Sequence, residues 1–538
     1  MVLLALLALA VGMSNSVNPR PLETHEVFVA QTAREMLGRG EWVLPTFNGE
    51  PRLNKPPLAY WLVMGLEKAA PSSPPVPEWK ARFPSAAAGV VVVLAAAAIG
   101  KALFGPGTGV LAGLLLCGLS GFFSYANNAR PEMLYAACCA LMVLGLVHAW
   151  RSVDHSRPQR WWALLVWAGA GLAILAKGPH FPAMILGGLV LHAVLDGNAR
   201  RLWPVLRPFI GVPVMLAISA PWPIAVAIKS PGAWHVWFGQ LTDAPDQGEL
   251  SLWQRLAPYY LWALPQVMLP WAALLPVGLA APFVRGPAEL RNGRVLFWIF
   301  AAVFVSLSVT THRRGYYMLP MFAVLAPLVA AGILDLARKA LSHRRWSLVF
   351  RGTAFVLTVA TGLLMAVLTH FESSSLETFV LSMCGILALL ACGAWSAQSI
   401  TVGPTPFKVL LWPFLAAGLF FVFAGGSNRL WGEGGLKKGE FAREVAKLVV
   451  APQTVVLYGE EAGLITYALD RVTPEAASPE ELATFIGRGP SWVLLPPSRL
   501  GHLPAGLDVR EAARRDTGEK SEDRVLVLVQ QPTDKVPG

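Results

Sequence analysis

The sequence predicts a polytopic α-helical membrane protein followed by a small extracytoplasmic α/β domain. Three observations carry that prediction. Charged residues make up only 14% of the 538 residues and hydrophobic ones 54%, with a mean hydropathy of +0.50. A soluble chain carries roughly 25% charged residues. Apolar runs of about 17–25 residues, the length that crosses the hydrocarbon, recur to about residue 426. Beyond that point short apolar segments alternate with charged ones.

The expected spans are 2–17, 85–104, 108–126, 133–150, 161–176, 181–196, 208–228, 258–283, 295–311, 316–335, 348–370, 378–397 and 408–426, thirteen in all. Residues 2–17 lack a basic leading segment and a small-residue cleavage site, so they read as a retained first span. Their shortness suggests a start upstream of Met1. With the N-terminus inside, Arg151, Arg157, Arg160, Arg200, Arg201, Arg207, Arg285, Arg291, Arg294, Arg338, Lys339, Arg344 and Arg345 all fall in the cytoplasm, as the positive-inside rule requires. The expected division is a transmembrane domain over 1–428, including a first outer loop at 18–84 with interfacial helices, and an extracytoplasmic α/β domain over 429–538.

In the first outer loop, Thr24 can cap a helix whose first turn holds His25 and Glu26. Val29, Ala33, Met36 and Leu37 make its apolar stripe, which suits a helix lying along the membrane surface. In the tail, Thr454–Tyr458, Trp492–Leu495 and Arg524–Val529 read as strands. Phe441–Val449 and Pro479–Ile486 read as helices, the latter capped by Ser478.

The net charge of +11 does not indicate nucleic acid, because most Lys and Arg lie in short loops between apolar runs. The five cysteines, Cys117, Cys138, Cys139, Cys384 and Cys392, all fall in expected spans, with neither a disulfide framework nor zinc spacing. Arg52, Lys55, Arg130, Lys177, Arg313 and Arg314 break the charge rule by falling on the outer side. A rule broken repeatedly at short outer loops points to a bound anion, and phosphate suits Arg and Lys.

Ionisable residues retained at membrane depth read as functional. They gather in Thr24-His25-Glu26, Arg130-Pro131-Glu132 and His312-Arg313-Arg314. Moving a sugar off a lipid phosphate needs a carboxylate to activate the acceptor and positive charge on the departing phosphate. Glu26 and Glu132 meet the first need; Lys55, Lys177, Arg313 and Arg314 meet the second, with Arg52 and Arg130 nearby. Plainer readings stand beside these. Glu26 can serve a helix dipole, Glu132 can pair with Arg130, and Arg52 and Lys55 can snorkel. His25 can be an exposed helix residue, and Trp234, Trp237 and Trp253 can form an interfacial aromatic belt.

Several segments resemble the bacterial aminoarabinose transferases. They are Thr24-His25-Glu26 with Ala33-Arg34-Glu35-Met36-Leu37 and Gly40-Glu41-Trp42-Val43-Leu44-Pro45; Asn54-Lys55-Pro56-Pro57-Leu58-Ala59-Tyr60-Trp61; Ala129-Arg130-Pro131-Glu132-Met133; Ala176-Lys177-Gly178-Pro179; and Tyr316-Tyr317-Met318-Leu319-Pro320. Their order and spacing hold over residues 18–335. The wider resemblance is to the integral-membrane GT-C glycosyltransferases, which include the protein O-mannosyltransferases.

The resemblance implies a GT-C fold, a polyprenyl-phosphate-linked sugar donor and inverting transfer on the periplasmic face of the bacterial inner membrane. The acceptor would be a lipid (lipid A-like) or a protein. It places Glu26 and Glu132 about the reaction centre, with His25 as their partner and Lys55 on the donor phosphate. His25 stands where the family usually has Asp, Asn54 where an acid usually precedes the signature lysine, and Gln240 where a His is usual. The last two positions are associated with a metal in the aminoarabinose enzymes; their change weakens the case for a divalent metal, which stays open with no ligand set assigned. The readings left open are protein O-mannosyl transfer, a lipid-phosphate-sugar transporter or flippase, and a noncatalytic descendant of the enzymes.

Overall fold

The computed structural model describes residues 1–14, 20–154, 160–242, 259–269, 271–284, 288–310, 313–342, 433–459, 463–486, 490–504, 507–516 and 523–530. The chain divides into two units. Met1–Asn18, Leu53–Ala59 and Arg82–Leu430 make the first; Pro19–Arg52, Tyr60–Ala81 and Trp431–Gly538 make the second.

Among the described residues of the first unit, five helices are long and apolar enough to cross a membrane. They are Glu78–Phe104, Pro131–Val153, Pro208–Lys229, Ala288–Val309 and Gly315–Lys339. The first of these begins in the second unit, at Glu78. The helices Pro106–Cys117 and Ser120–Ala126 meet at a 65° bend and add a sixth span if taken together. This is fewer than the thirteen spans expected. Val2–Gly12, Arg160–Ala176 and His180–Leu195 are helical and apolar where spans were expected, but at 11, 17 and 16 residues they fall short of the usual length. The stretch 258–283 is broken into helices Tyr259–Val267 and Leu275–Ala280 with a 3-10 turn at Trp271–Leu274. Prolines at 265, 270 and 276 remove backbone donors along it, which is the physical reason it does not run as one helix. The expected spans 348–370, 378–397 and 408–426 lie outside the described residues.

Close helix packing positions the chemistry. The helices Pro131–Asp154 and Arg160–Ala176 meet through two glycines. A Cβ on Gly145 would lie 2.9 Å from the Trp162 carbonyl oxygen, and one on Gly169 would lie 2.9 Å from that of Cys138. Small residues at a helix contact let backbones approach closely where lipid supplies no hydrophobic drive. Gly145 meets Trp162 while Gly169 meets Cys138, so the two helices run antiparallel and the first turn of one shares an end with the last turn of the other.

In the second unit the helix Thr24–Gly38 starts one residue earlier than its expected cap implies. Glu23, not Thr24, is the N-cap, and the Glu26 carboxylate accepts the Glu23 amide at 2.9 Å in a capping box. Val29, Ala33 and Met36 of the expected stripe are buried within the protein. A hairpin of β1 (Thr46–Phe47) and β2 (Glu50–Pro51) follows.

The tail forms a five-stranded sheet from β3 (Val455–Tyr458), β4 (Glu475–Ala476), β5 (Ser491–Leu495), β6 (Asp508–Arg515) and β7 (Arg524–Gln530). Their order across the sheet is β4-β3-β5-β7-β6, with β3 parallel to β4 and β5, and β7 antiparallel to β5 and β6. Strand alternation sends Val455, Leu457, Leu494 and Leu526 to one face. There they pack with Phe441 and Val445 of helix Glu433–Leu448 and with Ile465 of helix Leu464–Leu469. Val456, Val493, Leu495 and Val527 face the other way onto Leu482 and Ile486 of helix Pro479–Ile486. Both faces are therefore covered, as near-continuous apolar strands require. Glu481 receives the expected Ser478 cap on its amide at 3.2 Å.

Candidate active site

The antiparallel helix pair of the first unit brings Glu132 and Lys177 together. Glu132 sits in the first turn of its helix and is buried; Lys177 follows the last turn of the other. The Lys177 Nζ donates to Glu132 Oε1 at 3.1 Å. The second oxygen, Glu132 Oε2, is buried and has no hydrogen-bond partner. A buried carboxylate oxygen left unsatisfied is destabilising, so its retention calls for a functional account.

The surroundings are aromatic and cationic. The Lys177 ammonium lies 4.9 Å from the Tyr316 ring centroid and 4.8 Å from that of Tyr317, both cation–π distances. Tyr125 packs against Tyr316 with centroids 5.7 Å apart. Arg130 and Arg314 lie close enough to act electrostatically on this group, Arg130 on Glu132 and Tyr316, and Arg314 on both tyrosines. Lys55 acts likewise on His180. Ser85 Oγ donates to the Arg130 carbonyl at 3.1 Å and anchors the turn before Glu132.

The turn after Lys177 is built to hold its position. Gly178 has φ +137°, a conformation open to glycine and strained for side-chain-bearing residues. Its carbonyl accepts the Tyr135 hydroxyl at 2.9 Å, and that hydroxyl in turn accepts the Phe181 amide at 3.1 Å. Tyr135 is three residues after Glu132, on the same helix face. One buried tyrosine thus staples the Lys177 turn to the helix that carries Glu132.

Arg313 is engaged otherwise. Its Nε donates to the Thr310 carbonyl and its Nη2 to that of Ser308, each at 3.0 Å, closing the end of helix Arg294–Val309. His312 lies outside the described residues.

Three expected site residues belong to the second unit. Glu26 is fully buried, with its carboxylate on the Glu23 amide and 3.8 Å from Arg20. His25 is exposed, with its ring 6.2 Å from Phe28. Arg52 stacks its guanidinium 4.0 Å over the Phe28 ring and hydrogen-bonds Tyr60, while its buried Nε has no partner.

Trp237 carries a role that its place in an aromatic loop did not reveal. Its indole N–H donates at 3.0 Å to the carbonyl of Leu53, two residues before Lys55, and its ring packs on Trp222 and Trp234. Tyr135 and His180 were equally hidden, since each sits in an ordinary apolar run. Among the described residues, no group of three or more His, Cys, Asp or Glu side chains comes together as a metal set.

Residues 54–224 match the family model described as dolichyl-phosphate-mannose-protein mannosyltransferase. The whole chain superposes on the crystal structure of ArnT from Cupriavidus metallidurans bound to undecaprenyl phosphate. The TM-score is 0.76 at 19% identity, covering 100% of this chain and 98% of that one. An undecaprenyl phosphate-alpha-4-amino-4-deoxy-L-arabinose arabinosyl transferase of Pseudomonas paraeruginosa is 27% identical over 77% of this chain and 73% of its own length. A second protein of that description, from Pseudomonas fluorescens, is 27% identical over 59% of this chain, and this chain spans about half of its length (54%).

The chain is similar to the aminoarabinose transferases in sequence and shares the fold of ArnT. Its architecture is the polytopic α-helical GT-C fold with a small C-terminal domain. The family model begins at Asn54, beside Lys55, and includes Arg130, Glu132 and Lys177.

Proposed function

We propose that this GT-C protein transfers a sugar from an undecaprenyl-phosphate carrier to a lipid acceptor at the periplasmic face of the bacterial inner membrane. The observation that carries the reading is Glu132, a buried carboxylate with one oxygen on Lys177 and the other unpartnered. The names of the curated relatives supply the carrier. The thirteen-span count and the outward-facing site rest on the sequence pattern, including the spans at 348–370, 378–397 and 408–426.

The chemistry balances with the residues present. The acceptor hydroxyl attacks the anomeric carbon, and Glu132 Oε2 takes its proton as general base. The bond from that carbon to the phosphate oxygen breaks, and its electron pair leaves with the phosphate. Attack opposite the leaving group inverts the anomeric centre. Lys177 bridges the base and the developing phosphate charge, with Lys55, Arg130 and Arg314 adding positive field. Arg313 supports Arg314 by fixing the preceding helix end. Glu26 as a second, positioning carboxylate, His25 as its partner and Arg52 on the donor phosphate rest on the sequence motifs.

The test is release of free undecaprenyl phosphate from a panel of undecaprenyl-phosphate sugars by the purified protein. Glu132→Gln keeps size and removes the base, so turnover per folded molecule should fall by about 10²–10⁴. Turnover equal to wild type would remove Glu132 from the mechanism. Carrier binding without release in the wild type would indicate a transporter or a noncatalytic descendant.

A further inference from the structure

The C-terminal sheet carries a crevice that the transfer chemistry does not use. Strands β4, β3 and β5 run parallel, with β3 between the other two. The segments that follow β3 and β5 leave for opposite faces. After β3 the chain enters helix Leu464–Leu469, whose Ile465 and Leu469 pack on the face of Val455 and Leu457. After β5 it enters a 3-10 turn, Pro497–His502, whose Leu500 packs on the face of Val456 and Val493. Adjacent parallel strands whose connections diverge in this way leave a crevice outside their carboxyl ends, which is where open α/β sheets take ligands.

One arginine occupies that crevice. Arg499 comes from the turn after β5 and crosses to the end of β3, where its guanidinium lies 4.8 Å over the ring of Tyr458, the last residue of the strand. Gly459 comes next. A Cβ there would fall 2.6 Å from Arg499 Nε and Nη1, so the glycine makes the room that the guanidinium fills. Gly459 also takes φ +71°, a conformation that favours glycine in its own right.

The guanidinium is held but not neutralised. Arg499 is half-buried, and among the described residues its side chain has no hydrogen-bond or ion-pair partner. Its nitrogens stay open to solvent. Stacking on an aromatic ring fixes the plane of a guanidinium and hence the direction of its donors, and that fork matches the oxygens of a phosphate. His502 is exposed and stands three residues further along the same 3-10 turn, where side chains at i and i+3 eclipse. A second basic residue therefore shares the side of the turn that carries Arg499.

We propose that the crevice at the carboxyl ends of β3 and β5 is a phosphate-binding site, with Arg499 as its fork and His502 at its rim. The ligand is a phosphate group carried by a soluble ester or by a lipid headgroup. The site is built within the C-terminal domain and does not depend on the reading of Glu132 and Lys177 as a transfer centre.

The test titrates inorganic phosphate into the full-length protein in phosphatidylcholine nanodiscs, read by calorimetry at roughly 0.15 M salt, where distant charges are screened. Wild type should show a saturable phase that weakens about ten- to hundredfold in Arg499→Gln, the range that charge-assisted hydrogen bonds carry. Arg499→Lys keeps the stem over Tyr458 and the charge but loses the fork. It should weaken the same phase by about tenfold, and it decides the matter if Arg499→Gln does not fold. Arg510→Gln removes the same charge from an exposed position on β6 and should bind within about twofold of wild type.

Repeating the titration in phosphatidylglycerol nanodiscs separates the two sources. Loss of the phase there marks a lipid headgroup as the occupant, and its persistence marks a soluble phosphate ester; both outcomes sustain the site. A wild-type protein without a saturable phase overturns the inference, and so does equal binding by wild type and both Arg499 variants. An equal loss in Arg499→Gln and Arg510→Gln overturns it as well, because net charge alone would then account for the binding. No turnover is read, so a failure of the transferase reading leaves this result intact.

Discussion

Two buried Glu–Lys pairs in this chain look alike on paper and differ in what they leave unsatisfied. Lys80 reaches Glu67 at 2.9 Å and Lys177 reaches Glu132 at 3.1 Å. Around Glu67 every acceptor is used. Its oxygens take the Ser72 amide at 2.6 Å, the Ser72 hydroxyl at 2.9 and 2.8 Å and the Val76 amide at 3.0 Å, and Lys80 also caps the Ala70 carbonyl. Those bonds hold Val76, a β-branched residue at φ 50°, in a conformation it rarely adopts. Around Glu132 one oxygen stays empty and the neighbours are tyrosines and cations. A saturated pair has finished its work when the chain folds. An unsaturated one leaves an acceptor open in the folded chain.

The sharpest way to break that distinction is to make the same substitution in both pairs. Glu132→Gln should lower transfer per folded molecule by about 10²–10⁴, apart from the stability cost of leaving Lys177 without its charge partner. Glu67→Gln should leave the activity per folded molecule near wild type and lower stability by about 3 kcal/mol, since Lys80 then stays buried without its charge partner. Thermal melts and turnover of the two variants check this, and matching profiles would dissolve the comparison.

Acid sensitivity gives a second contrast. Burial pushes the Glu67 carboxyl upward, but the Lys80 ammonium and the Ser72 and Val76 donors outweigh it and hold it below the ordinary value of 4.5. A depressed folded value means that the contribution is fully present above about pH 4.5 and is lost as pH falls through the folded value. Wild type should therefore lose stability more steeply than Glu67→Gln below about pH 4.5, measured by melts from pH 6 to pH 3.

Smaller effects test the supports of the open pair. Tyr135→Phe strands the Gly178 carbonyl and the Phe181 amide, so stability should fall by about 1–3 kcal/mol and turnover should drop with it as Lys177 loses its fixed turn. Trp237→Phe keeps the ring packing and deletes the donor to Leu53. A loss of about 1 kcal/mol is expected, read as a donor KM raised severalfold at constant kcat.

Much of the site was legible because the charges stand out. Glu132, Lys177 and Arg130 break an apolar background, and the motifs around them are short and continuous. The tyrosine staple was not legible, because Tyr135 looks like any residue of the run 133–150 until its hydroxyl is seen between Gly178 and Phe181. Arg313 and Arg314 read as equals in sequence, yet one closes a helix end and the other acts on the tyrosines. Strand β6 was missed because Asp508–Arg515 is charged and largely exposed, an edge strand held by its pairing to β7 rather than by an apolar face. The span at 258–283 was overread, since hydropathy counts apolar residues and ignores the donors that three prolines remove.

The sequence by itself determined the class of the protein. Apolar length, charge placement and local motifs are properties of neighbouring residues, and they suffice to name a polytopic membrane protein with acids and bases in its loops. Tertiary structure decided which charges are satisfied and which remain open. It also decided that residues 19–52 fold with residues beyond 431 rather than with the spans next to them. Asn48 meets Thr473 and Arg34 meets Tyr467 only after the chain has returned across hundreds of residues. Hydrogen-bond saturation depends on those long-range partners, and no local pattern records them.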